Sequence, residues 1–232
     1  MDALITIAAR GGSKGLPNKA ILPMNGKPLI RWTVDQARAW GRGAIVVSSD
    51  SERILRAADC GMTPLLRPKE LAGDHTGKLD VLRHATEYME HVNGGKYSIV
   101  IDLDVTNPLR TPEDIENCYQ QFIKVVPDSL ISVTKGRRNP WFNMVTVNKQ
   151  GRAALACGPG RILKRRQDAP EVFDLNCCIY VYRRDWLVDP KHISPMQGDC
   201  RVYIMEDWQF IDIDSAFDFD ISAFLMKEYL YG

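Results

Sequence analysis

The chain has 232 residues, 45% of them hydrophobic, enough to bury a sizeable core in one main domain. Thirty Lys and Arg against 29 Asp and Glu leave a net charge of +1, which argues against nucleic acid or a membrane surface as a partner, so an anionic ligand must be met by local clusters. The six cysteines include no C-x-x-C pair and fit the reduced thiols of a cytoplasmic protein, and no apolar run approaches the roughly 20 residues of a membrane span.

An apolar strand over 3–9 leads into Arg10-Gly11-Gly12-Ser13-Lys14-Gly15-Leu16-Pro17-Asn18-Lys19. Glycines let successive N–H groups turn inward as an anion-binding nest, and Arg10, Lys14 and Lys19 supply the countercharge of a triphosphate. The segment is not a Walker A loop, because Leu16-Pro17-Asn18 separates it from the next helix, and it lacks the dinucleotide G-x-G-x-x-G spacing. Taken alone, it is equally a solvated basic loop.

A helix over 28–40, a strand over 44–49, a helix over 51–59 and a strand over 63–66 follow. Helices over 78–91 and 112–126 then flank a strand over 97–103. This alternation predicts a mainly parallel sheet with helices on both faces, and continuous apolar runs such as Ile45-Val46-Val47 suit strands buried on both sides. Thr111-Pro112-Glu113-Asp114 reads as an N-cap, a first-turn proline and two acids. Beyond residue 130 the pattern turns to strands, over 130–134, 143–147, 153–156 and 179–182, before a last helix over 216–230. The span 184–200, with two prolines and little periodicity, reads as an excursion from a single domain and a candidate for subunit contact.

In an open parallel sheet, ligands gather at the carboxyl ends of the strands. Besides the first loop, these ends deliver Ser49 and Asp50, candidates for nucleotide binding, and Asp104, Thr106, Asn107 and Arg110, candidates for substrate binding. A late strand over 211–214 would place Asp212 and Asp214 on one face, where two carboxylates suit a hard cation such as Mg²⁺ beside phosphates. Singly, each acid reads better as a cap or turn residue; together they point to one site. His75, His84, His91 and His192 lack metal-ligand spacing, the basic run Arg161 to Arg166 reads first as a solvated face, and Trp141, Phe142 and Trp208 read as core or interface.

The segments AARGGSKGLPNK, VVSSD, LLRPKELAGD, TNPLRTPEDI, NCCIY and FIDIDS, in that order, resemble the motifs of the CMP-sialic acid synthetases, cytidylyltransferases that activate nine-carbon 2-keto sugar acids. The likeness runs from about residue 4 to 224. It implies a Rossmann-like α/β nucleotidyltransferase fold, usually a homodimer, joining CTP to a nonulosonic acid with Mg²⁺ and releasing pyrophosphate. Carried over, the nucleotide loop falls on Arg10, Gly11, Gly12, Ser13, Lys14 and Lys19, with Arg67 and Asp74 enclosing the nucleotide. Arg166, Asn176 and Tyr180 match positions facing the sugar acid, and Asp212 and Asp214 match the metal-binding pair. The catalytic group implied is Arg10, Lys14, Lys19 and Asp212. Two departures stand out: Ala20 replaces an asparagine, and Asp104 replaces the glutamine that faces the sugar. The segments around Asp102, Arg137 to Asn143 and Asn176 look closer to the bacterial branch that activates legionaminic acid. The rivals are the sialate, pseudaminate and eight-carbon keto-deoxy acid enzymes, a non-catalytic nucleotide-binding module, and a glycosyltransferase using Asp102-Leu103-Asp104 as a D-x-D motif.

Overall fold

A computed structural model describes residues 2–12, 15–58, 61–73, 75–157 and 165–230. The elements run β1 (Ala3–Ala9), β2 (Pro23–Met24), β3 (Lys27–Pro28), α1 (Leu29–Trp40), β4 (Ala44–Ser49), α2 (Glu52–Ala58), β5 (Thr63–Leu66), α3 (Lys78–Asn93), β6 (Ile99–Leu103) and α4 (Pro112–Val125). They continue with β7 (Ser129–Lys135), β8 (Val145–Val147), β9 (Ala153–Leu155), β10 (Phe173–Arg183), α5 (Arg184–Val188), β11 (Cys200–Ile204) and α6 (Ala216–Leu230).

Seven strands form one sheet in the order β11-β7-β10-β6-β1-β4-β5. All pairings are parallel except those of β10, which runs antiparallel to both β6 and β7. The strands alternate their burial between two faces, as period-two geometry requires. Ile5 and Ile7 join the core built with α1, α2, α4 and α6, whereas Leu4 and Val46 pack with Ala85 and Met89 of α3 on the other side. Each such aliphatic contributes roughly 1.5–3 kcal/mol by leaving water, which holds the helices to both faces.

Local signals fix several boundaries. Helix α1 ends where Gly41 takes a left-handed φ of 73° and returns its N–H to the Arg38 carbonyl at 3.0 Å. Helix α4 starts on the expected device: the Thr111 hydroxyl accepts from Asp114 N, and the Asp114 carboxylate accepts from Thr111 N.

Two expectations fail at the chain's far end. Residues 211–214 pair with no strand; Ile213 N–H reaches only the Thr106 carbonyl, at 2.9 Å, so the segment is an extended connection. The span 184–200 is no free excursion, since it begins with α5 and leads into edge strand β11. Buried Arg83 of α3 ties it down by donating to the carbonyls of Leu187 (2.8 Å), Asp189 (3.0 Å) and His192.

Candidate active site

Strand β1 sends its connection towards β4 on one side, while β6 lies on the other, so the crevice opens above the carboxyl ends of β1 and β6. A cavity of about 410 Å³ lies there, lined among others by Arg10, Gly15, Lys19, Asp104, Thr106 and Asp214. A second, of about 240 Å³, shares Arg10 and Asp104 and extends to Arg67, Thr76 and Lys78.

The glycine loop is held from behind. Gly11 N–H donates to Asp50 Oδ1 at 2.7 Å, so Asp50 braces the loop instead of facing a nucleotide. Ser49 is fully buried and its hydroxyl accepts from Ser51 N–H at 3.1 Å, which makes it a turn residue. Gly12 is exposed, as is Arg10 at the strand end. Ser13, Lys14 and Asp74 lie outside the described residues, as does the side chain of Arg166, whose backbone opens a short 3₁₀ turn, Arg166–Asp168. Arg67 is buried and donates to the Ser48 hydroxyl (3.1 Å) and carbonyl (2.8 Å). Burial lowers its guanidinium below the ordinary value, only partly offset by Asp50 and Asp102.

Lys19 reaches across the cavity to the Ile213 carbonyl and to Asp214 Oδ1, the latter at 3.2 Å. Ile211 and Ile213 point into the core, so Asp212 and Asp214 do share the outer face even without a strand. Asp214 is exposed, whereas Asp212 Oδ1 is buried without a hydrogen-bond partner, and burial raises the Asp212 carboxyl above the ordinary range. The Thr106 hydroxyl lies between Asp212 and Asp104 with one proton to give.

The substrate-side residues divide. Asn107, Arg110 and Asn176 are fully buried and serve the scaffold. Asn107 Nδ2 donates to the carbonyls of Asn176 (2.8 Å) and Gln209 (3.1 Å); the Arg110 guanidinium donates to the carbonyls of Asn107, Cys178 and Asp104 and to the Thr33 hydroxyl. Asn176 Oδ1 accepts from the Ser132 hydroxyl at 2.7 Å, at a bulge where Cys177 takes a left-handed φ of 53°. A buried polar group without partners costs about 1–3 kcal/mol, and apart from Arg110 Nε these side chains have theirs inside the protein.

Asp104 and Thr106 line the cavity, and Tyr180 lies behind them against a residue the sequence reading missed. Lys78 Nζ lies 2.8 Å from Asp102 Oδ2 and 2.6 Å from Asp104 Oδ2, and 4.6 Å from the centre of the Tyr180 ring. Burial pulls its ammonium down, but the two carboxylates outweigh it and hold the group well above the ordinary lysine value. Burial raises Asp102, whereas at Asp104 the Lys78 charge and the Thr106 donors overcome burial and leave the carboxyl low. Burial also raises the Tyr180 hydroxyl. As the first residue of a helix, Lys78 gave no sign in the sequence that it would turn inward.

The sequence profile of the cytidylyltransferases matches residues 4–194. This chain belongs to the cytidylyltransferase family. As a cytidylyltransferase it is a nucleotidyltransferase, and two relatives align along nearly the whole of it. Post-translational flagellin modification protein B of Campylobacter coli is 35% identical over 98% of this chain and 96% of its own length. CMP-N,N'-diacetyllegionaminic acid synthase of Campylobacter jejuni is 35% identical over 97% and 95%. Among solved structures, a CMP:2-keto-3-deoxy-manno-octonic acid synthetase complexed with CTP superposes with a TM-score of 0.73 at 21% identity, covering 98% of this cytidylyltransferase and 99% of that chain. That likeness is one of fold, and it bears out the Rossmann-like nucleotidyltransferase architecture read from the sequence.

Proposed function

We propose that this enzyme joins CTP to a nonulosonic acid, N,N'-diacetyllegionaminic acid or a close derivative, giving the CMP-sugar and pyrophosphate. The observation that carries the reading is that Arg10, Lys19 and Asp214 line the cavity where β1 and β6 diverge, with Asp212 near enough to feel the charges of Lys19 and Asp214. The 35% identity to a synthase of that CMP-sugar selects the sugar class.

In the proposed reaction the anomeric hydroxyl of the sugar attacks the α-phosphorus. The O–P bond forms as the bond to the β-phosphate oxygen breaks, pyrophosphate leaves, and the hydroxyl proton passes to a base. Asp212 is the candidate base, because burial raises its carboxyl and so makes it a better proton acceptor than an exposed aspartate. Arg10 and Lys19, with Lys14 in the same loop, neutralise charge that builds on the phosphates, so catalysis is mainly positioning and electrostatics.

The buried, unpartnered Asp212 Oδ1 and the neighbouring Asp214 carboxylate are hard oxygen donors that fit Mg²⁺. Bound by them, the ion would supply countercharge to the phosphates. No helix among the described residues is long and apolar enough to cross a membrane, and a cytoplasmic location belongs to this reading. So does a homodimer. Its surface is sought on the exposed apolar residues Trp141, Phe142, Met144, Val145, Val147 and Leu155 around the β8–β9 hairpin, or on Ile193 and Met196 of the span 184–200.

The test is pyrophosphate release with CTP and Mg²⁺ across legionaminic, pseudaminic, sialic and keto-deoxy-octulosonic acids, with product masses. Release with the first and a matching CMP-sugar mass supports the reading. Measurable CTP binding with no product from any of the four overturns it.

A further inference from the structure

We propose that Lys78 and Asp104 form a hydroxyl-reading pair where the nucleotide and the sugar acid meet, donating to and accepting from one substrate oxygen. The inference rests on the reading of the crevice as a site for CTP and a sugar acid.

The two groups are fixed from all sides but one. Asp102 Oδ1 accepts from the Thr6 hydroxyl at 3.1 Å and Asp102 Oδ2 faces Lys78. Asp104 Oδ1 accepts from the Thr106 N–H (3.2 Å) and hydroxyl (3.1 Å), and Asp104 Oδ2 accepts from Lys78. Tyr180 lies against the ammonium. A lysine has three protons, and with one given to Asp104 and Asp102 Oδ2 met at ion-pair distance without hydrogen-bond geometry, at least one is left to donate; a carboxylate has about four acceptor positions, and Asp104 has room for a further donor. The pair therefore offers one donor and one acceptor side by side. Lys78 lines the smaller cavity and Asp104 lines both, so both open onto the crevice. A hydroxyl matches this offer at a single atom, since its proton goes to Asp104 while its lone pair accepts from Lys78. The hydroxyl is one on the ribose of the nucleotide or one on the sugar acid, and the experiment separates the two.

Wild type, Lys78→Met and Asp104→Asn are compared in calorimetric titrations with CTP and 2′-deoxy-CTP, and in turnover with analogues of the accepted sugar acid lacking one hydroxyl at a time. The expected result is a wild-type preference of about tenfold or more for the hydroxylated form of one substrate, reduced to about threefold or less in both variants, with selectivity for the other substrate unchanged. Lys78→Met leaves Asp102 without its cation, so thermal melts are run alongside, and Asp104→Asn, which keeps the Lys78–Asp102 pair, decides the matter if the methionine variant does not fold. Undiminished preference in a folded variant overturns the proposal, as does a uniform fall in turnover at unchanged preference, the mark of a purely structural ion cluster. If wild type accepts no sugar acid, the assigned reaction fails; the nucleotide arm then decides the pair alone, and equal affinity for the two nucleotides overturns it.

Discussion

Gly15 lies so close to Asp214 that a Cβ added at position 15 would fall far inside contact distance of the Asp214 carbonyl oxygen. The phosphate-type loop and the acidic segment are thus held in register by the lack of a side chain. Gly15→Ala must push one from the other, and overpacking of this kind costs about 1–3 kcal/mol. Turnover is expected to drop at least about tenfold with CTP still bound. Wild-type turnover in the alanine variant would show that the two segments work without this approach.

Lys19 is the described cation that bridges these same two segments. Lys19→Ala is expected to lower turnover by about 10²–10³, the scale of removing one preorganised electrostatic contact, while leaving the melting temperature near that of wild type. Steady-state kinetics at saturating CTP measure it, and an unchanged rate removes Lys19 from the mechanism.

Asp212 carries a penalty for its charge. Its folded-state carboxyl titrates above the unfolded value, so the stability it contributes is fully present below the unfolded value and lost as the pH rises through the folded one. In metal-free protein, Asp212→Asn should therefore melt higher than wild type at about pH 7 and lose that advantage as the pH falls to about 3. The same variant should lose most of its response to added Mg²⁺. A variant that melts lower than wild type at neutral pH contradicts the burial penalty.

Arg110 separates scaffold from site. Four hydrogen-bond partners lie around a guanidinium with no exposed surface. Arg110→Ala should cost about 3 kcal/mol or more in denaturant unfolding. In whatever fraction remains folded, the KM for the sugar acid should stay within a small factor of wild type. A selective rise in that KM with stability intact would return Arg110 to the substrate.

Subunit contact can be tested on the β8–β9 hairpin, where Val145 and Val147 are more than half exposed. Val145→Asp with Val147→Asp should shift a dimer to monomer in light scattering. Unaltered mass would direct the search elsewhere, first to Ile193 and Met196 in the 184–200 span.

The strands β1, β4 and β5 have the bounds read from the sequence, because apolar runs report burial directly; helix α6 also has the bounds read for it, although Phe217, Phe224 and Tyr229 on it are exposed. Strand β11 was not legible: Cys200–Ile204 sits at a sheet edge with Val202 and Ile204 half exposed, so no continuous apolar run marks it. At the crevice, Asp104 was placed by the end of β6 and Lys19 by the loop after β1, whereas Asp212 and Asp214 were placed by the alternation of a strand that does not form. Asn107, Arg110 and Asn176 were assigned to substrate and proved internal, since polarity alone does not tell a group facing a ligand from one facing a carbonyl. Lys78 was missed for the converse reason. The carboxylates that draw it inward, Asp102 and Asp104, lie more than twenty residues away along the chain.

The reversed strand β10 also sets an order on assembly. It inserts between β6 and β7, both made earlier, so a chain emerging from the ribosome shows two apolar strand edges without their shared neighbour until about residue 183 has been synthesised. Pairings of such long sequence separation form slowly, and unpaired edges invite association with other chains. The nascent protein therefore passes through a stage in which β6 edges a four-stranded parallel sheet while β7 has neither neighbour, β11 being made later still, and the acids at 212 and 214 join only after β10 has filled the gap.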